Sequence, residues 1–74
     1  MKQTIGRILM DARVSRCMTT AELACTAEVA ESSVRAWEDD VKVPSIVNVQ
    51  KMCKALHIKI QINEYGEVER VDET

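Results

Sequence analysis

The sequence predicts a mainly α-helical domain that ends in a C-terminal β-strand or hairpin, and three observations carry this. Apolar residues recur every three or four positions up to about residue 57, and the period then changes to two. The apolar inventory also suits helices: 46% of the 74 residues are apolar, but only Trp37 and Tyr65 are aromatic and Phe is absent. A chain of this length builds one small core, which excludes a two-domain enzyme. With 30% charged residues, one Pro and two Gly it is neither low-complexity nor compositionally disordered.

Ile5, Ile8, Leu9 and Ala12 form one stripe of a first helix running to about Arg13, and residues 14–18 read as a connector. Thr19 followed three residues later by Glu22 is a capping box that starts a second helix, with Leu23, Ala24 and Ala27 facing inward. The phase shifts near residues 28–30. Val34 and Trp37, three apart, then define a short third helix from about Glu31 to Glu38, which sets Trp37 in the core. Pro44 keeps Val43 out of helical geometry, so residues 39–44 are a loop and Ser45 caps the next helix. Ile46, Val49, Cys53 and Leu56 make this fourth helix, ending near His57.

Ile58, Ile60 and Ile62 alternate with polar residues as in a half-buried strand, and Asn63-Glu64-Tyr65-Gly66 is a turn in which Gly66 takes positive φ. Residues 67–71 can return as a second strand. An isolated two-stranded hairpin is marginal in water, so the three isoleucines are expected to find a partner in a second copy of the chain. This divides the chain into a helical domain, residues 1–58, and a dimerisation element with an acidic tail, residues 59–74.

Charge is uneven. Residues 1–60 carry nine Lys/Arg against seven Asp/Glu, whereas residues 61–74 carry one against five. Within residues 20–45, Arg35 and Lys42 face six carboxylates. Basic flanks at Lys2, Arg7, Arg13 and Arg16 and at Lys51, Lys54 and Lys59 bracket this acidic middle. No apolar run approaches the roughly 18 residues of a membrane span, and no signal-type segment follows Met1, so a cytoplasmic protein without membrane contact is expected.

Two short helices joined by a few residues and packed between flanking helices form a helix-turn-helix, the arrangement that sets its second helix in a DNA groove. Residues 5–58 resemble the lambda-repressor-like (Cro/repressor type) helix-turn-helix family found in phage repressors and bacterial antitoxins. The resemblance rests on residues 18–24 (Met-Thr-Thr-Ala-Glu-Leu-Ala), Val29, Val34, Trp37-Glu38, Pro44-Ser45 and residues 53–58 (Cys-Lys-Ala-Leu-His-Ile). It implies a four-to-five-helix domain and a dimeric transcription regulator, repressor or antitoxin, that binds an inverted repeat in double-stranded DNA. It further implies a structural ion pair between Arg13 and Glu38, and phosphate contacts from Thr20 and Lys42. Glu31, Ser32, Arg35 and Ala36 stand where base edges are read, and Ser33 where base or backbone is reached.

Arg35 can donate twice to guanine and Glu31 can accept from cytosine, so a half-site containing G·C is expected. Where the family usually has glycine, this chain has Cys17, Glu28 and Asp40. Left-handed backbone costs such residues roughly 1 kcal/mol or more, which predicts adjusted turns.

Three cysteines without metal-type spacing predict reduced, mostly buried thiols, and Cys53 with His57 lacks further ligands, so no metal or cofactor is expected. No Ser/His/Asp grouping or phosphate loop argues for catalysis, and the chain is not expected to be an enzyme. The rival reading is a degenerate helix-turn-helix that binds a protein such as a toxin or repressor through its acidic surface, as an antirepressor or adaptor.

Overall fold

The computed structural model describes residues 4–62 and 64–72. Four helices, α1 (Ile5–Ser15), α2 (Thr20–Ala27), α3 (Glu31–Glu38) and α4 (Ile46–Leu56), are followed by strands β1 (Ile58–Ile62) and β2 (Val68–Asp72). This is the anticipated helical domain with a C-terminal hairpin. Helix α1 runs two residues past the expected Arg13. Lys2 of the basic flank and Asn63 of the turn lie outside the described residues.

Each helix starts where the sequence supplies an acceptor for its unpaired amides. Thr4 Oγ1 accepts from the Arg7 amide at 3.1 Å and Ser45 Oγ from the Asn48 amide at 3.2 Å. The capping box at α2 is complete: the Glu22 amide donates to Thr19 Oγ1 at 3.0 Å and the Thr19 amide to Glu22 Oε1 at 2.9 Å. Helix α3 is the exception, since Ala30 offers no side-chain cap.

The helices end in left-handed residues. Cys17, Glu28, Asp40 and His57 all have φ between 55° and 60°. The first three stand where glycine was missed in the sequence, so the turns keep glycine geometry without glycine, which corrects the expectation of adjusted turns. At Glu28 the conformation lets the Val29 amide reach back to the Ala24 carbonyl at 3.0 Å, satisfying an orphan acceptor of α2.

Ile8, Leu9, Ala12, Leu23, Ala24, Ala27, Val34, Trp37, Met52, Leu56 and Ile58 form the buried core. One stripe is corrected. Ile46 has the right phase, but it is the first residue of α4, overhangs the core and is 78% exposed. Met52, on the same stripe, takes the central position, with Cys53 packed against the core from its edge. A second correction concerns the thiols: Cys17 and Cys25 are exposed and only Cys53 is partly buried.

The hairpin pairs antiparallel in the register Ile58↔Asp72 to Ile62↔Val68, and Gly66 takes φ 76° as expected. It packs on its own domain, β1 against α4 and β2 against α1. Ile58 is buried in the core and Ile60 is half-buried against it, with Val68 beside them. Of the apolar face assigned to a second copy, Ile58 is therefore consumed within the subunit and Ile60 only in part. The side chain of Ile62 lies outside the described residues. Arg70 Nη2 donates to Ser15 Oγ at 3.3 Å and ties β2 to the end of α1.

Candidate nucleic-acid interface

The angle of α3 is set from below by an ion pair. Arg13 donates through Nε to Glu38 Oε2 at 2.8 Å and through Nη2 to Oε1 at 3.0 Å, while Nη1 donates to the Met18 carbonyl at 2.7 Å. One guanidinium thus joins the end of α1, the connector into α2 and the end of α3. The two side chains are 15% and 5% exposed, and the hydrogen bonds to Glu38 raise the Arg13 pKa against the opposing effect of burial. Gly6 completes the seat: a Cβ there would overlap the Trp37 carbonyl oxygen, so α1 and α3 touch backbone to backbone.

With Val34 and Trp37 turned into the core and Glu38 held by Arg13, the opposite side of α3 faces outward. Ser32 and Arg35 are exposed, and Glu31, Ser33 and Ala36 are half-buried. Thr20, the first residue of α2, donates through Oγ1 to Glu31 Oε2 at 2.7 Å, and Arg35 Nη2 donates to the same oxygen at 3.2 Å. The Thr20 hydroxyl first, and Arg35 second, hold the Glu31 carboxyl below its ordinary pKa of 4.5. Its charge in the first turn also favours the uncapped N-terminus of α3. At the other end of the helix the amides of Val41 and Lys42 both donate to the Ala36 carbonyl, at 2.9 and 3.2 Å. Lys42 is thereby folded back beside α3, its side chain exposed.

The structure thus brings Thr20, Glu31 and Arg35 into one cluster and sets Lys42 beside Ala36. It does not gather the basic flanks there. Arg13 is committed to Glu38, Arg7 pairs with Asp11 at 3.4 Å, and Arg16 Nη2 donates to the His57 carbonyl at 3.3 Å. Lys51 and Lys54 line a groove with Thr26 and Glu28, at the far end of α2, about 9 Å along the helix from Thr20 at 1.5 Å per residue.

Sequence reasoning missed one surface. Val41, Val43, Ile46 and Val47 are exposed around the α3–α4 loop and the start of α4. The signal lay in Val41 and Val43, which alternate with charges but have no second element opposite them. No cluster of three or more His, Cys, Asp or Glu forms among the described residues, and Cys53 and His57 recruit no third ligand there. Nor is any described helix long and apolar enough to cross a membrane.

No protein-family model matches the chain and no curated protein matches it, so what this surface can do is argued from its geometry.

Proposed function

We propose that this chain is a sequence-specific DNA-binding transcriptional regulator of the lambda-repressor-like kind, a phage-type repressor or an antitoxin, acting in the cytoplasm without a catalytic step or cofactor. The observation that carries the reading is the open face of α3. Ser32 and Arg35 project from a helix fixed on its other side by Val34, Trp37 and Glu38, and α3 packs only on α1 and α2 among its principal neighbours. A rigid helix with polar, uncovered side chains is what reading base edges requires.

Eight helical residues span about 12 Å, or three to four base pairs at about 3.4 Å each. One subunit, 33 Å in its longest dimension, therefore covers a single half-site. Two half-sites one helical turn apart, about 34 Å, call for two copies side by side, hence a homodimer on an inverted repeat. In this reading Arg35 contacts guanine, Ser32, Ser33 and Ala36 line the groove, and Lys42 approaches phosphates, while the Thr20 hydroxyl is held by Glu31.

The second reading, a protein-binding adaptor or antirepressor, is favoured by the exposed aliphatic residues 41–47 beside an acidic middle segment. Fluorescence anisotropy on a duplex of random sequence separates the two. A DNA reader binds at low salt and weakens steeply as salt rises, whereas an adaptor leaves the signal flat throughout.

A further inference from the structure

The DNA-reading face contains a carboxylate where DNA affinity would favour a neutral or basic group. Glu31 Oε2 accepts from both side chains best placed to touch a duplex, Thr20 from α2 at 2.7 Å and Arg35 from α3 at 3.2 Å. The Glu31 side chain is 39% exposed, so its charge is felt by a ligand that approaches this face. Two kinds of acceptor meet it differently. A phosphate approaching the Thr20 hydroxyl or the Arg35 guanidinium brings a second negative charge against Glu31. A guanine edge offers neutral acceptors to the remaining N–H groups of Arg35 and leaves the pair with Glu31 intact. Held at one edge by Glu31, the guanidinium also loses less rotamer freedom on docking.

We propose that Glu31 is a specificity determinant of the reading helix, an internal anion that excludes phosphate from Thr20 and Arg35 while presenting Arg35 to base edges. The inference rests on the reading of α3 as the DNA-contacting helix. It accounts for an acidic residue in the open face of α3 as a filter that lowers affinity for arbitrary duplex more than affinity for the target.

The test compares the full chain with its Glu31→Gln and Glu28→Gln variants on two duplexes, one of random sequence and one selected by the wild-type protein from a randomised pool. Gln at 31 keeps an acceptor for Thr20 and Arg35 and removes only the charge. Circular dichroism melts confirm that each variant is folded. Removing the filter should tighten binding to the random duplex about 10-fold at low salt and steepen the log–log salt dependence by about 1, the increment for one more neutralised phosphate. Affinity for the selected duplex should change less than about 3-fold. Glu28→Gln removes an equal charge in the α2–α3 turn and should move both affinities by less than about 3-fold. An equal gain from Glu28→Gln would reduce Glu31 to bulk charge and overturn the filter. So would random-duplex binding by Glu31→Gln no tighter than wild type. If the wild-type chain binds neither random nor pooled duplex at low salt, the DNA reading itself falls, and the filter with it.

Discussion

Two Arg–Glu pairs lie on opposite sides of α3, and their difference separates what holds the fold from what is free to act. Arg13 and Glu38 are 25 residues apart in sequence, meet through two parallel hydrogen bonds and are withdrawn from water. Glu31 and Arg35 are neighbours on one helix, meet through a single contact at 3.2 Å, and Arg35 is 66% exposed. The residue types are the same. Burial decides that the first pair fixes the helix and that the second can exchange partners at little cost.

The largest effect is expected from breaking the inward pair. Glu38→Ala leaves the Arg13 guanidinium without its carboxylate in a site nearly closed to solvent, and should cost about 3–5 kcal/mol. A domain of this size has roughly 4–11 kcal/mol in total at about 0.05–0.15 kcal/mol per residue, so urea unfolding should show a protein at the edge of stability. Replacing both residues by apolar ones of similar volume should recover most of the loss. A double variant as unstable as Glu38→Ala would mean that the Arg13 bond to the Met18 carbonyl, and not the pair, carries the effect.

Next comes the backbone contact on the same side. Gly6→Ala puts a methyl group onto the Trp37 carbonyl and must push α1 away from α3, at a cost of about 1–3 kcal/mol. The same substitution away from such a contact favours a helix interior by up to about 1 kcal/mol, so a stabilised variant would show that α1 can shift freely.

How much of this was legible in the sequence depends on the range of each interaction. The capping box at Thr19 and Glu22, the stripe through Ile8, Leu9 and Ala12 and the change of period at Ile58 are local patterns, and they placed α2, α1 and β1. The inner face of α4 went partly wrong because periodicity gives the phase of a stripe but not where the core beneath it stops, which is why Ile46 overhangs and Met52 is central. Left-handed backbone at Cys17, Glu28 and Asp40 went against expectation, since the Met18, Val29 and Val41 amides there reach back to the Arg13, Ala24 and Ala36 carbonyls, bonds that offset a penalty on the order of 1 kcal/mol. The hairpin's contact with its own domain was missed because a sequence does not show that α1 and α4 converge on it. Glu31 was read as a base contact. Its bond to Thr20, eleven residues away, exists only because of the angle at which α2 meets α3.

Acid sharpens the contrast without any substitution. The folded-state pKa of Glu31 is lowered by Thr20 and Arg35, and that of Glu22 by the amide and hydroxyl of Thr19. A carboxyl with a depressed folded pKa contributes stability that is fully present above its ordinary value of 4.5 and is lost as pH falls through the folded value. Thermal melts should therefore show no loss from these two groups between pH 7 and about 5, and a decline below about 4.5. The decline should be shallower in Glu31→Gln, and an identical acid limb in that variant would show that Glu31 is not linked to folding.

The smallest effect on stability, and the sharpest on function, belongs to Arg35. Its side chain is mostly in water, and its ion-pair partner among the described residues is a carboxylate that Thr20 also holds. Arg35→Ala should leave the urea midpoint at the wild-type value within experimental error. If α3 reads DNA, the same change removes the bidentate donor to guanine and should lower affinity for the selected duplex about 10- to 100-fold, the equivalent of about 1–3 kcal/mol per good base contact. Binding to random duplex should fall far less, since Glu31 already keeps this guanidinium from phosphates. A variant that loses both affinities in proportion would make Arg35 a phosphate contact, and one that loses stability instead would make the outward pair a copy of the inward one.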